Sequence, residues 1–249
     1  MKLKVVGSGS TGNAYILEND TEALLVEAGV SFSKVKEALN FNMTKVKGCI
    51  ISHEHGDHAK YVKDTLKNRI NTYMTEGTAE AIKITNKRLI TLKKANDNYQ
   101  ILQIGGFKIL PFKTIHDAKE PVGFLINHKE TGNILFITDS MYLPFKVKNV
   151  NNILIECNYS EKIISQKIKN RDLPLKVYRR IMANHMSLET CQDTLAKMDT
   201  SQVNNIVLIH LSEHNGNENQ FKDEIGRTVH KNIYIASKGL EINFNKTPF

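Results

Sequence analysis

The sequence has few of the features that mark secreted or membrane proteins. Its only cysteines, Cys49, Cys157 and Cys191, are scattered along 249 residues, and none belongs to a C-x-x-C pair. A small, odd number of cysteines argues against a disulfide framework. The first residues, MKLKVVGSGS, lack the apolar core of a signal peptide, and no run approaches the roughly 18 apolar residues of a membrane helix. We therefore expect a soluble, cytoplasmic protein.

The chain also lacks Pro/Gly/Ser-rich linkers, low-complexity segments and internal repeats. With 5 Pro, 14 Gly, 41% hydrophobic and 24% charged residues, its composition is that of an ordinary globular protein. The length suffices for one large buried core, so we expect residues 1–249 to form a single domain. The net charge of +8 favours anionic partners such as nucleotides and nucleic acids, although a lysine-rich proteome would produce the same excess.

One glycine-rich stretch matches a nucleotide-binding pattern in its letters. Residues 7–13 read GSGSTGN, which contains G-x-G-x-x-G, and Glu27 follows about 20 residues later. A dinucleotide loop must open a helix, because the pyrophosphate binds the N–H groups at the helix N-terminus. Here the following segments AYIL and ALLVE have the pattern of short strands, with too few residues for a helical crossover. We therefore predict a tight turn within an antiparallel meander.

Strand and helix patterns along the rest of the chain predict two β-rich halves. VKGCIIS and NNIVLIHLS have the pattern of buried strands, whereas SLETCQDTLAKM predicts a helix capped by Ser187 or Thr190. NIYIASKGLEINF predicts a final pair of strands. Two mixed sheets packed face to face, with helices outside, accommodate this order. The expected fold class is α/β, a four-layer αββα sandwich.

The densest group of chemically reactive residues follows the strand pattern GCIIS. The segment SHEHGDH places His53, His55, Asp57 and His58 within six residues, in a chain with only 9 histidines. A loop at the end of a strand lies at the rim of a sheet, so these side chains are expected to meet there. Imidazole and carboxylate groups are ligands that zinc, manganese and iron accept, and two neighbouring groups suit a two-metal centre.

This H-x-H-x-D-H segment resembles the hallmark of the metallo-β-lactamase-fold hydrolases. The resemblance covers nearly the whole chain, since His116 in TIHDA, Asp139 in FITDS and His210 in LIHLS follow in the family's order at predicted strand ends. It implies two divalent ions, expected to be Zn²⁺ with Mn²⁺ as the alternative, bridged by Asp139. The implied ligands form two sets, one of His53, His55 and His116 and the other of Asp57, His58 and His210.

Further residues are expected close to these ions. The family usually has Asp after the early strand, where this chain has Glu27 in LLVEAG. The family residue supports the histidine loop by hydrogen bonding, and an ordinary surface glutamate is the equal alternative here. The glycine turn would offer substrate phosphate its backbone N–H groups and three side chains, those of Ser8, Ser10 and Asn13.

The segment from Glu156 to His185 resembles the phosphodiesterase branch of the fold, which includes ribonuclease Z. LIECN and ANHMS resemble the acidic and G-H-x-S segments of that branch, with Asn184 where glycine is usual. The intact histidine cluster argues against the flavodiiron oxidoreductases and the true β-lactamases. The resemblance implies that Asp57 orients a metal-bound water and that His185, supported by Glu156, protonates the leaving oxygen.

The compact chain limits the substrates that this resemblance implies. It has neither the Gly/Pro-rich arm of ribonuclease Z nor the large cap domain of other nucleases. Its length and its lysine- and asparagine-rich composition favour the phage anti-Pycsar phosphodiesterases, homodimers that hydrolyse cyclic CMP and cyclic UMP in the host cytoplasm. A compact 5′–3′ DNA exonuclease, whose group shares SGSxGN and HLS, is the alternative. A protein that only sequesters a nucleotide is the third.

One basic stretch is left without an assigned role. Residues 167–180 read KIKNRDLPLKVYRR, and Tyr159 and Tyr178 lie before and within this stretch. A run of this kind gates a pocket or lines an interface in some proteins, and in more of them it forms a solvated helix face. Both interpretations stay open from the sequence.

Overall fold

The first of two central sheets contains the predicted amino-terminal meander. Its seven strands are β1 (Lys2–Gly7), β2 (Ala14–Glu18), β3 (Ala23–Val26), β4 (Val46–Ile50), β5 (Thr72–Met74), β6 (Leu89–Thr91) and β16 (Glu241–Asn243). The structure, a computed structural model, describes residues 1–248. The strand order is β16-β1-β2-β3-β4-β5-β6, antiparallel from β16 to β3 and parallel from β3 to β6.

The second sheet is built from the later part of the chain. Its seven strands are β9 (Leu102–Ile104), β10 (Phe107–Lys113), β11 (Val122–His128), β12 (Gly132–Ile137), β13 (Asn152–Glu156), β14 (Asn205–Ile209) and β15 (Asn232–Ile235). The order is β15-β14-β13-β12-β11-β10-β9, parallel from β15 to β12 and antiparallel from β12 to β9. A separate short ribbon consists of β7 (Lys94–Ala95) and β8 (Asn98–Tyr99).

Eight α-helices connect or cover these strands within residues 1–248. They are α1 (Phe32–Ala38), α2 (Gly56–Ala59), α3 (Val62–Lys67), α4 (Glu76–Ile82), α5 (Glu161–Lys169), α6 (Leu175–Asn184), α7 (Leu188–Lys197) and α8 (Glu218–Val229). The predicted cap of α7 is confirmed, since Ser187 Oγ accepts the backbone N–H of Thr190 at 3.0 Å. None of these helices is both long and apolar enough to cross a membrane.

Three apolar cores define the layers. The two sheets pack face to face through large side chains such as Tyr15, Phe107 and Phe136, with the rings of Tyr15 and Phe136 5.7 Å apart. Helices α1 and α3 cover the outer face of the first sheet, and α7 and α8 cover the outer face of the second, where Phe221 is fully buried. The predicted four-layer αββα sandwich is therefore confirmed.

Two local predictions have different outcomes. The glycine stretch leads into strand β2 rather than a helix, so the rejection of a dinucleotide loop is confirmed. Both strands of the predicted final pair form, but they do not pair with each other, since β15 pairs with β14 and β16 pairs with β1 in the other sheet. The turn between them is fixed by backbone bonds of Gly239 and Leu240 to Val5. The alternation of apolar and polar residues identifies each strand, but it does not indicate which sheet a short strand joins.

The fold brings several strand ends to one edge of the sandwich. The histidine segment follows β4 of the first sheet, while Asp139, Glu156 and His210 lie at the carboxyl ends of β12, β13 and β14 of the second. These three strands are parallel neighbours, so their ends meet at a single edge of the sheet. Side chains from both sheets therefore converge there.

Candidate metal centre

The histidine segment turns sharply from β4 into α2. His53 is almost completely buried, and its Nδ1 lies 2.8 Å from Ser52 Oγ, which directs Nε2 toward the sheet edge. His53 Nε2 lies 3.5 Å from an Asp139 oxygen and has no hydrogen-bond partner within residues 1–248. A buried nitrogen without a partner is costly unless something else occupies its lone pair. This position fits a metal ligand.

Two further histidines complete the first predicted set. His116 Nε2 lies 3.1 Å from His55 Nδ1, and one nitrogen each of His53, His55 and His116 lies within 4.8 Å of the others. His116 Nδ1 donates to the backbone oxygen of Asn184 at 3.0 Å, which leaves Nε2 free to bind an ion. Burial lowers the pKa of both His53 and His116, so both favour the neutral form that coordinates metals.

The second predicted set also assembles. His58 Nε2 lies 2.6 Å from Asp139 Oδ2 and 3.3 Å from Asp57 Oδ2, and His210 Nε2 lies 3.0 Å from Asp57 Oδ2. One ligand atom from each of these four residues lies within 4.8 Å of the rest. Asp139 also approaches His53, so its carboxylate lies between the two sets. Two sets of imidazole and carboxylate groups that lie this close together are compatible with a dinuclear divalent metal site.

The carboxylates of this site are held in their ionised form. Burial alone would raise the pKa of Asp139, but the charges of His210 and His58 hold it well below its usual range. Burial would likewise raise the pKa of Asp57, and hydrogen bonds from His210 and His58 lower it far more. Both side chains therefore carry negative charge at neutral pH, which is the form that binds a cation.

Glu27 supports the histidine segment from the interior. Its side chain is buried, which excludes the surface alternative, and its backbone has a positive φ of 69°. Its carboxylate accepts the backbone N–H of Ser52 at 3.2 Å and lies 3.5 Å from His58 Nδ1. The longer side chain thus reaches the residue before His53 and the far nitrogen of His58. This contact suits a residue that orients ligands rather than one that binds the ion.

Asn13 has surroundings different from those expected. Its side chain is fully buried, its Nδ2 lies 3.3 Å from the backbone oxygen of Asp57 and 3.1 Å from His58 Nε2, and its Oδ1 accepts the N–H of Gly9. The structure therefore does not support a substrate contact for Asn13. Its amide instead ties the glycine turn to the histidine segment. Within the turn, the N–H groups of Gly9 and Gly12 are bonded to Asn13 Oδ1 and to the backbone oxygen of Gly9.

The two serines of the turn lie on different sides of it. Ser8 Oγ accepts the backbone N–H of His210 at 2.9 Å and lies 2.8 Å from Tyr15 OH, so it positions the end of β14. It faces a separate cavity of about 720 Å³. Ser10 alone of the three predicted substrate contacts lines the cavity over the metal ligands.

Gly29 packs directly against the histidine segment, and this contact yields a prediction. A Cβ atom at Gly29 would lie 1.6 Å from the backbone oxygen of Asp57. We expect Gly29→Ala to lower the stability by about 3 kcal/mol, a melting temperature decrease of roughly 6 to 12 °C, and to weaken metal binding. Thermal unfolding and metal analysis measure both effects. The control is Gly226→Ala in α8, where the nearest atom is 3.8 Å away and helix propensity favours alanine by about 1 kcal/mol. Equal melting temperatures for the two variants would contradict this close packing.

His185 and Glu156 form a pair beside the two ligand sets. His185 directly follows α6, and its Nδ1 lies 2.7 Å from Glu156 Oε1 and 3.0 Å from Asp139 Oδ1. The fully buried Glu156 is fixed by the backbone N–H groups of Ser140 and Met186. Burial lowers the pKa of His185, but Glu156 and Asp139 outweigh it and raise the pKa to about 10. The two carboxylates therefore favour the imidazolium form of His185. The side chain lines a cavity of about 440 Å³ above the ligands.

Several residues of the site were not assigned a role from the sequence. Asn158 Nδ2 donates to the backbone oxygen of His210 at 2.7 Å, and Asn184 holds His116 through a backbone carbonyl. Arg180 of α6 lines the same cavity as His185. The roles of these three residues depend on where they lie in the fold, and their positions depend on how the segments pack.

The αββα sandwich and the paired His/Asp sets at its edge together define a metal-dependent hydrolase of the metallo-β-lactamase fold. The family model for the beta-lactamase superfamily domain matches residues 23–211, so the chain belongs to this family. The resemblance stated from the sequence is thereby confirmed at the level of family and fold.

Named relatives and a solved structure agree with this membership. The chain is 27% identical to exodeoxyribonuclease YycJ of Bacillus anthracis, over 98% of this chain and 94% of that protein. It is also 27% identical to exodeoxyribonuclease WalJ of Streptococcus pneumoniae, over 98% of this chain and 92% of that protein. The metallo-β-lactamase fold protein YhfI from Bacillus subtilis has a TM-score of 0.74 at 20% identity, over 97% of this chain and 99% of that one. This last likeness shows the fold alone.

Proposed function

We propose that this protein is a metal-dependent exodeoxyribonuclease that removes nucleotides from the end of a DNA strand. The observation that carries the proposal is the pair of His185 and Glu156 beside the two ligand sets. Hydrolysis of a phosphodiester expels an alkoxide that needs a proton. This pair places the His185 imidazole at the cavity, with Glu156 favouring its protonated form. The two relatives named exodeoxyribonucleases, which align over almost the whole chain, support the same class of substrate.

Each residue of the site has a role in this reaction. The divalent ions, zinc or manganese, lower the pKa of a bound water and offset the charge of the phosphate when they are present. Asp57, at the mouth of the second ligand set, accepts a hydrogen bond from the attacking water and orients it. His185 donates its Nε2 proton to the leaving oxygen, while Glu156 holds the ring through Nδ1. Glu27 keeps the histidine segment in place.

A second candidate is hydrolysis of cyclic CMP and cyclic UMP by a homodimer, as predicted from the sequence. The cavity of about 440 Å³ is the observation that favours it, since pockets of roughly 300 Å³ and more hold small ligands. The cyclic substrate, the dimer and the phage origin stay predictions. A third candidate, sequestration of a nucleotide without turnover, is disfavoured by the complete set of ligands.

Comparing the products formed from different substrates tests these candidates. We expect the purified protein with Mn²⁺ or Zn²⁺ to release mononucleotides from linear DNA labelled at either end, and to leave closed circular DNA intact. Chelation of the metal by EDTA should abolish this release, because the attacking water depends on the ions. Chromatography of the products separates the candidates. Conversion of cyclic CMP or cyclic UMP without any shortening of DNA would overturn the proposal, and binding without turnover would favour sequestration.

A further inference from the structure

The positive charge of the protein is concentrated beside the metal centre. Helices α5 and α6 and their connection, residues 161–184, carry seven basic and two acidic side chains, a net charge of +5 out of +8 for the whole chain. We refer to residues 161–184 as the basic hairpin. Its basic residues are Lys162, Lys167, Lys169, Arg171, Lys176, Arg179 and Arg180. A local excess of this size raises the concentration of polyanions near the site.

These basic side chains are not neutralised by neighbouring acids. Within residues 1–248, none of the seven forms an ion pair, and Lys167 is held only by the oxygens of His214 and Asn215. Unpaired basic residues also occur elsewhere in residues 1–248, since Lys197 pairs with Asp193 along α7 but Lys222 and Arg227 of α8 have no ion pair. The basic hairpin differs from these helices in its local excess of positive charge, with seven basic and two acidic side chains in 24 residues. Such an excess attracts anions.

The second helix of the basic hairpin is anchored to the metal ligands. The backbone oxygen of Asn184, the last residue of α6, accepts from His116 Nδ1 at 3.0 Å, and its side-chain oxygen accepts the backbone N–H of Asp117 at 2.9 Å. His185 follows directly and bonds to Glu156. The orientation of α6 is therefore fixed relative to the site, and Arg180 lines the cavity one turn before the helix ends.

Three exposed basic residues follow one another along this helix from the cavity outward. Lys176 is four residues before Arg180 and three before Arg179, spacings that make side chains neighbours on a helix surface. The axial rise from Lys176 to Arg180 is about 6 Å. Consecutive phosphates of a nucleic-acid strand are separated by a similar distance. Guanidinium groups bind phosphate oxygens in a bidentate manner, which suits Arg179 and Arg180 to this contact.

Resting on the proposed function, we propose that this face of α6 binds the backbone of the DNA strand whose end lies in the metal centre. Arg180 contacts the phosphate next to the scissile one, and Lys176 and Arg179 contact the phosphate beyond it. A cyclic mononucleotide has a single phosphate, which the metal centre itself takes up, so these contacts serve only a polymer. The basic hairpin thus selects a strand over a mononucleotide.

A pair of charge-matched variants tests this assignment. We expect Lys176→Gln with Arg179→Gln to raise KM for a long single-stranded oligonucleotide about tenfold relative to a dinucleotide, because the lost contacts lie beyond the first phosphate. The salt dependence of log KM should become shallower by about 0.7 for each lost phosphate contact. The control removes two charges elsewhere, through Lys222→Gln with Arg227→Gln on the exposed face of α8, and should leave both quantities unchanged.

The outcomes separate this inference from the function on which it rests. If wild-type protein shortens DNA but the α6 and α8 variants have equal KM values, or if KM for the dinucleotide rises as much as for the long strand, the assignment of α6 is overturned. If wild-type protein with metal shortens no DNA, the proposed function itself fails. Arg180→Gln should raise KM more than Arg180→Lys, since lysine keeps the charge but loses the bidentate geometry. Equal values for these two variants would contradict the role of Arg180.

Discussion

Replacing Asp139 by alanine is expected to release both metal ions and to lower turnover about 10²- to 10³-fold, the size of effect seen when an active-site electrostatic contribution is lost. The reason is that its carboxylate lies between four imidazoles. Oδ2 is near His53 and His58, and Oδ1 is near His185 and His210. Without it, the first ligand set has no carboxylate and the second keeps only Asp57. Elemental analysis of the purified variant and the DNA assay measure the two effects.

The control for Asp139 is the carboxylate of Asp193 on α7. Its side chain is 77% exposed, pairs with Lys197 and belongs to neither ligand set. Asp193→Ala should therefore keep both ions and most of the turnover. An Asp139→Ala variant that still binds two ions per chain would show that this carboxylate does not join the two sets.

Replacing His185 by glutamine should lower turnover by about 10²- to 10⁴-fold while the metal content is unchanged, since removal of a general acid has effects of this size. The loss should depend on the leaving group. DNA expels an alkoxide that needs the proton, whereas a phosphodiester with a p-nitrophenolate leaving group departs without one. We therefore expect the variant to be far less impaired on the nitrophenyl substrate. Comparison of kcat for the two substrates measures this difference.

Two results would contradict this role for His185. Loss of metal from the variant would make His185 a ligand, because Asp139, Glu156, His185 and His210 also lie close enough together to hold an ion. Equal impairment on both substrates would point to a general structural effect instead. His230→Gln, at an exposed histidine after α8, is the control and should have no effect on either substrate.

The candidate ligands were predictable because residue types that bind metals occur at the ends of predicted strands. Four of them occur within a six-residue segment, and the others follow shortly after strands whose apolar patterns are strong. Parallel strand ends meet at one edge of a sheet, so the convergence of Asp139 and His210 follows from the strand order. The spacing of the histidine segment then limits which side chains reach that edge.

The supporting residues were less predictable because their roles depend on packing depth. Asn13 and Ser8 are polar residues in a glycine turn, a pattern equally typical of a phosphate contact and of an internal tie. The structure distinguishes these through burial, since Asn13 is fully covered by the histidine segment. Glu27 presented the same ambiguity, and its buried contacts resolve it. For an isolated polar residue, composition and spacing do not indicate how deeply its side chain is buried.

The substrate prediction depended on arguments that do not discriminate within this fold. Short length and the absence of an inserted arm favoured cyclic nucleotides. However, two relatives named exodeoxyribonucleases align over 94% and 92% of their own lengths with this chain, so a compact chain is also found among enzymes named for action on DNA. The basic stretch gave no help at the sequence level, because its meaning depends on where α6 ends relative to the site.

The convergence of both sheets at one edge also sets the order in which the centre can form. The bond between His210 and Asp57 joins residues 153 positions apart, and Ser8 contacts the backbone of His210 across 202 positions. Contacts this distant in sequence have a large loop-closure cost, which slows their formation. A nascent chain that exposes the histidine segment still lacks His210 until β14 has been synthesised. Hydrolytic activity is therefore withheld from the growing polypeptide, and an ion held between His58 and His210 would stabilise the docking of the late half onto the early one.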